Sequence, residues 1–369
     1  MSRYLLVVLS LSCLAAGTAL GQSDLKHVDV YVSGTDGYAG YRIPAIETAP
    51  DGSLLAFAEA RKYNLSDPVG KGQEIDLVLK RSLDGGATWS PMKVLEHSGP
   101  YWSSSNPATT VDRDKGRVWV FYLRCKPGRG TAAARPGTDD AANLARYSDD
   151  NGVTWSDPID QTGVARDMHD TEWRISVPGP GGAIQSRDGR LIVPMWKFAP
   201  FKDFAIYSTD HGRTWQRGAL VPGPQASDED QLVELANGNI LLDMRQHAGP
   251  RRWMATSKDG GRTWSEPRPG LPVTRVCCAI ERYTLKSAGD DHDRIIWTGP
   301  KGPGRNKLVA RISYDEGRTF ANERLIADQP AAYSDLTVTK DKSVGVLWER
   351  GNYRFITYTR LMLSYLEPK

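Results

Sequence analysis

Apolar residues in this chain fall into short runs, most of them alternating with polar ones, and each run is announced by a turn. Leu54-Leu55-Ala56-Phe57-Ala58 follows Pro50-Asp51-Gly52, and Arg117-Val118-Trp119-Val120-Phe121-Tyr122 follows Asp114-Lys115-Gly116. Asn239-Ile240-Leu241-Leu242-Asp243-Met244 follows Asn237-Gly238, and the segments Asp188–Pro194 and Lys340–Trp348 repeat the grammar. Runs of this length bounded by Gly, Asp, Asn and Pro predict strands joined by tight turns. No stretch carries the 3.6-residue stripe of a convincing amphipathic helix.

Between these runs one phrase, Ser-x-Asp-x-Gly-x-Thr-Trp/Phe, occurs five times, starting at Ser82, Ser148, Ser208, Ser257 and Ser313. Ser and Asp side chains bond nearby backbone amides, and Gly supplies a positive φ. The closing aromatic residue is placed to anchor the hairpin in the layer below. The spacing, roughly 50 to 65 residues, suits one four-stranded blade per repeat, and about six such units fit the chain. The prediction is an all-β, six-bladed propeller occupying 22–369 as a single domain. The segment 126–140, rich in Gly, Ala, Pro and Arg, reads as a long loop within it. A large β-sandwich would explain the strands but not the regular hairpin phrase.

Composition narrows the partners. The formal net charge is +3 over 369 residues and no long basic tract occurs, which argues against nucleic acid. Arg3, the apolar run Tyr4–Ala16 and the small-x-small site Ala19-Leu20-Gly21 read as a cleavable signal peptide over 1–21, and hence as export to the periplasm or medium. The apolar run is too short for a membrane span. Cys125, Cys277 and Cys278 remain after the leader. One bridge from Cys125 to either of the pair, or burial as small apolar residues, fits them equally. The six histidines are scattered without metal-ligand spacing, so no metal is expected.

The hairpin phrase stabilises turns and says nothing of chemistry. Combined with Tyr41-Arg42-Ile43-Pro44-Ala45-Ile46 near the N-terminus, the chain from about Val30 to Tyr358 resembles the bacterial sialidases, exo-acting neuraminidases of the Asp-box superfamily. The resemblance implies three arginines that hold the sugar carboxylate: Arg42, Arg245 in Leu241-Leu242-Asp243-Met244-Arg245, and Arg305 in Gly304-Arg305-Asn306-Lys307-Leu308. Guanidinium is permanently charged and forks onto a carboxylate with two parallel bonds, which suits that task. It implies Tyr333 as nucleophile, Glu229 as its base and Glu349 as the carboxylate that holds Arg42. Asp228 and Asp230, beside Glu229, read as a solvated acidic turn. Asp67 matches the acid that protonates the leaving oxygen, with Glu74 and Asp76 as rivals, and Arg61 matches an accessory basic residue near the substrate carboxylate. Trp102, Asn106, Trp173 and Gln185 lie in segments that line the cleft in the family.

The reading is therefore a secreted propeller that releases terminal sialic acid with retention and needs no cofactor. A propeller that binds acidic sugars without cleaving them, or a related glycosidase or trans-sialidase on the same scaffold, is the alternative. A lectin needs the clamp but not a nucleophile with its base, so Tyr333 and Glu229 favour the enzyme.

Overall fold

The computed structural model describes residues 25–68 and 72–367. The leader expected over 1–21 lies outside the described residues. The chain is all-β: among the described residues the α-helices are the single turns Thr162–Ala165 and Leu363–Leu366.

The strands form successive antiparallel meanders. Gly40–Thr48, Leu54–Arg61, Ile75–Ser82 and Lys93–Glu96 make the first, and Ser103–Asp112, Arg117–Cys125, Ala141–Ser148 and Ile159–Asp160 the second. The segment 126–140 is indeed a loop, carrying one 3-10 turn at Thr131–Ala133. Ile175–Pro178 and Ile184–Gln185 both pair with Leu191–Phe198, followed by Lys202–Ser208 and Gln216–Arg217. Ser227–Glu234, Ile240–Gln246, Arg251–Ser257 and Arg268–Pro272 follow. Ala279–Thr284, Arg294–Pro300 and Asn306–Ser313 then lead into a long strand, Ala321–Val338. The second half of that strand pairs with Val344–Arg350, which pairs with Phe355–Leu361. The last neighbour is N-terminal: His27–Val32 lies against Phe355–Leu361, with His27 opposite Thr359.

Apolar faces of consecutive meanders meet. Leu55, Phe57, Leu77 and Leu79 of the first pack with Val118, Val120 and Tyr122 of the second. Trp119 and Phe121 pack with Leu191, Val193 and Phe204 of the third. The first also meets the last, through Ile46, Leu54 and Ala56 against Leu347, Ile356 and Tyr358. Each fully buried side chain of this size contributes about 1.5–3 kcal/mol, so these interlayer cores carry most of the stability.

The five hairpin phrases share one geometry. In the first, the Gly86 amide donates to Ser82 Oγ at 2.8 Å, the Thr88 amide to Asp84 Oδ1 at 2.9 Å, and Thr88 Oγ1 to Asp84 Oδ2 at 2.6 Å. The Gly at the fifth position is left-handed, as its role requires, but so is the residue before it, including Asn151, His211 and Glu316. A Cβ on Gly86 would stand 2.0 Å from Tyr358, and one on Gly212 2.4 Å from Trp119. Each phrase thus presses on the preceding meander, and the aromatic residue does the same: Trp89 meets Tyr358, Trp155 meets Phe57 and Trp215 meets Phe121. Cys125, Cys277 and Cys278 are free and buried, which decides for the small-apolar reading over a bridge.

Candidate active site

Strands at the inner edge of the meanders break register at a common cavity. The slips fall between Arg42 and Ala45, Ser105 and Ala108, Asp228 and Asp230, and Ala331 and Ser334. Two of them have a cause in the sequence. Pro44 and Pro107 have no amide to donate, so the ladder is interrupted and a bulge forms. Ile43, Asn106 and Glu229, inside these slips, all have positive φ. A bulge aims side chains off the regular alternation, and here it turns Arg42, Asn106, Glu229 and Tyr333 into one cavity of about 250 Å³.

Arg245, Arg305, Arg61 and Asp67 line the same cavity. The Tyr333 hydroxyl donates to Glu229 Oε2 at 2.5 Å, and Arg245 Nη1 donates to that hydroxyl at 3.1 Å and also to Glu229. The Arg42 and Arg305 guanidinium carbons stand 5.4 and 5.3 Å from the Tyr333 ring centre. Arg42 Nε donates to Glu349 Oε1 at 2.5 Å, and the same carboxylate accepts the amides of Ile43 at 3.0 Å and Tyr333 at 3.2 Å. Glu349 therefore fixes the first arginine and the tyrosine backbone together.

Burial sets the electrostatics. It pushes the Tyr333 hydroxyl well above its ordinary value, and the neighbouring Glu229 charge adds to this, against the pull of Arg245, Arg305 and Arg42. Burial raises the Glu229 carboxyl as well, with Arg245 opposing and Asp228 reinforcing. A carboxylate held above its usual range is a better acceptor for a phenolic proton. Burial alone would lower Arg42, but the Glu349 carboxylate outweighs it and holds the guanidinium above its ordinary value.

Asp67 reaches the cavity from the loop after Leu54–Arg61, with its side chain 68% exposed. Arg61 Nη1 donates to Asp67 Oδ1 at 3.0 Å, while Arg61 Nη2 bonds Glu59 Oε2 at 2.6 Å. With a side chain only 1% exposed, Arg61 acts here as the tether of Asp67. The rivals sit elsewhere: Asp76 accepts from Tyr38 and contacts His97, and Glu74 accepts the Tyr101 amide.

Two sequence expectations need correction. Asp228 and Asp230 are not a solvated turn; Ser227–Glu234 is a buried strand. Asp228 accepts from His247 at 2.7 Å and faces Arg245 Nε at 3.5 Å. Of the four additional cleft candidates only Asn106 lines the cavity. Trp173 is buried against Phe204 and donates to Ser176; Gln185 bonds Asp112 and the Arg113 amide; Trp102 lies beside Arg124. Conversely Trp196, Phe201 and His247 line the cavity unannounced, His247 stacked on Phe201 with ring centres 3.8 Å apart. His247 follows the end of Ile240–Gln246, two residues after Arg245.

A larger cavity of about 570 Å³ contains none of the expected catalytic or clamp residues, but Gln185, expected in the cleft, lines it instead. It is lined by Glu47, Thr48, Val233 and Thr337, at the far ends of strands whose near ends bear Arg42, Glu229 and Tyr333, and by Glu281 of Ala279–Thr284. Elsewhere, the fold gathers Glu74, Asp76 and His97, and likewise Asp112, Asp114 and His211, which no spacing in the sequence foretold. Among the described residues no helix is long and apolar enough to cross a membrane.

Residues 52–346 match the family model described as a BNR repeat-like domain. The chain is 32% identical to a sialidase of Micromonospora viridifaciens over 92% of its length and 54% of that protein. It is 31% identical to Sialidase-3 of Mus musculus, over 84% of this chain and 87% of the relative. Against three bacterial relatives it spans less than two thirds of their length: 54%, 64% and 57%. Among solved structures, a Hadza microbial sialidase superposes with a TM-score of 0.82 at 28% identity, covering 91% of this chain and 68% of that one. The Ruminococcus gnavus intramolecular trans-sialidase shares the fold, with a TM-score of 0.76 at 19% identity over 93% of this chain and 98% of that one. A repeat model that takes in most of the strands, and a relative matched along most of both chains, agree on one assignment: this chain belongs to the sialidases of the BNR-repeat superfamily.

Proposed function

We propose that this protein is a retaining exo-α-sialidase that removes terminal sialic acid from glycoproteins, glycolipids or oligosaccharides. The observation that carries the reading is the Tyr333 hydroxyl, hydrogen-bonded to Glu229 among three guanidinium groups. Arg42, Arg245 and Arg305 take the sugar carboxylate, which brings the anomeric carbon over Tyr333. A neutral phenol approaches a substrate that already bears a negative charge without the repulsion a carboxylate nucleophile would meet. Ionising a phenol of pKa near 10 at pH 7 costs about 4 kcal/mol, so its proton must pass to Glu229 as the bond to carbon forms. Asp67 gives its proton to the departing oxygen. The tyrosyl intermediate then breaks down as Asp67, now a base, draws a proton from water. The residues do this without a cofactor.

The scaffold we propose is a single six-bladed propeller over 22–369. The antiparallel meanders, the contact of the first hairpin phrase with Tyr358 of the last meander, and the pairing of His27–Val32 with Phe355–Leu361 support it. Its substrate is extracellular glycan, in keeping with the leader read from the sequence, and its location the periplasm or medium. Hydrolysis of a fluorogenic sialoside, lost in Tyr333→Phe, tests the reading, and a 2,3-difluoro sugar should label Tyr333. Wild-type turnover by the variant, or labelling elsewhere, removes Tyr333 as nucleophile.

A further inference from the structure

The three guanidinium groups at Tyr333 are not held alike. Arg42 has Glu349 and Arg245 has Glu229 and Asp228, whereas Arg305 has no carboxylate partner among the described residues. Its donors go to the Tyr353 hydroxyl at 2.9 Å and to the Arg275 carbonyl at 3.0 Å. The ring of the same tyrosine lies 4.2 Å from the Arg42 guanidinium carbon. One side chain therefore touches two like charges, one by its hydroxyl and one by its π face.

Tyr353 stands in the hairpin between Val344–Arg350 and Phe355–Leu361, where Gly351, Asn352 and Tyr353 have φ of 61°, 54° and 68°. A tyrosine in the left-handed region is an outlier that persists only where its surroundings over-determine it. Here they do: the Gly351 amide donates to Pro330 O, Ser33 Oγ to Tyr353 O, and the Ser33 amide to Arg354 O. The turn is thus stapled to the start of Ala331-Ala332-Tyr333 and to the end of His27–Val32.

We infer that Tyr353 is a positioning residue of the carboxylate clamp, orienting Arg305 and Arg42 while leaving the charge of Arg305 uncompensated for an anionic ligand. A carboxylate in its place would hold Arg305 as firmly, but it would neutralise the charge and compete with the ligand. A phenol offers an acceptor and a quadrupole, and no net charge. This inference rests on the proposed sialidase reading, since it presumes that the clamp receives a sugar carboxylate.

The test compares the full chain with Tyr353→Phe, which loses the hydroxyl alone, and Tyr353→Leu, which loses the ring as well. The readouts are kcat and KM on a fluorogenic sialoside, and inhibition by 2-deoxy-2,3-didehydro-N-acetylneuraminic acid and by its methyl ester. Tyr353→Phe should raise KM and the acid's inhibition constant about tenfold, the worth of one charge-assisted bond, with little change in kcat. Tyr353→Leu should raise both further, and the ester should bind all three proteins alike. Thermal unfolding of Tyr353→Phe should match the wild type. Equal losses for acid and ester, or no loss in Tyr353→Phe, overturn the inference while leaving the sialidase reading in place. A wild type that neither cleaves the sialoside nor binds the acid removes both.

Discussion

Replacing Glu349 by glutamine tests whether the clamp is built on a buried ion pair. The Glu349 side chain is fully buried and accepts four N–H groups: Arg42 Nε at 2.5 Å and Nη2 at 3.3 Å, and the amides of Ile43 and Tyr333. Two donors go to each oxygen. Glutamine has nearly the same shape but only one accepting oxygen, so its NH₂ turns toward two donors, and the Arg42 charge loses its partner. Breaking a buried pair from one side costs about 3–5 kcal/mol. Because the amide oxygen retains two of the four donors, Glu349→Gln should fall near the lower end, about 3 kcal/mol. Urea unfolding measures this, provided m is unchanged. The double variant Arg42→Met/Glu349→Leu should recover only the part of the loss that lies in the orphaned charge, because the Ile43 and Tyr333 amides still lose their acceptor. Neither variant should bind a sialic acid analogue normally. A loss in Glu349→Gln below about 1 kcal/mol would show that Arg42 finds water or another anion, and the preorganisation argument would fall.

Further expectations concern the acid and the far cavity. Asp67→Asn should cut kcat by roughly 10²–10⁴ on natural sialosides, whereas aryl sialosides with a good leaving group should be much less affected; equal losses on both would remove Asp67 as the acid. Glu47 and Glu281 are each pushed up to about 8, chiefly by burial, with the charge of Glu281 adding to the first and that of Asp335 to the second. A folded-state value above the unfolded one means that folding takes up a proton as pH rises past the usual carboxylate value, so stability is full below about 4.5 and falls toward pH 8. Glu47→Gln should flatten that fall in a series of thermal melts, and an unchanged slope would place the titration elsewhere.

How much of this was legible depended on whether the signal was local. The hairpin phrase is a local hydrogen-bond circuit, so its five copies announced the strands and their spacing. Arg42-Ile43-Pro44 was legible through its resemblance to the family's phrase, whereas the break that Pro44 makes in the ladder emerged only with the strand pairing. Asp228 and Asp230 were misread because acidic residues in succession look solvated, while what lets them be buried is not local: Asp228 meets Arg245 on the next strand and His247 just past its end, and burial, with the Asp203 charge, pushes the Asp230 carboxyl up toward its neutral form. Trp173 and Gln185 misled because neighbourhood along the chain does not tell which end of a strand, or which side of a sheet, a side chain serves. Tyr353 left no trace, since its ring is aimed by a turn that Ser33 and Pro330 hold from over 300 and over 20 residues away.

The site is made where the repeat is broken. A regular antiparallel ladder sends alternate side chains into the two interlayer cores, and no residue of an ideal inner strand would face along its own axis. The bulges at Ile43-Pro44, Asn106-Pro107, Glu229 and Ala332-Tyr333 change that at one end only. At the other end the same strands keep their register from Ala45 to Thr48 and from Asp230 to Glu234, and the cavity there is lined by three carboxylates, Glu47, Glu234 and Glu281, with none of Arg42, Arg245, Arg305 or Tyr333. The two ends thus differ in register as well as in composition. It follows that the identical hairpin phrases, which hold the regular part, can vary without altering the chemistry, whereas Pro44 cannot. Restoring an amide at that position invites the ladder to re-form. It would then turn Arg42 away from Tyr333 while every residue of the proposed mechanism was still present.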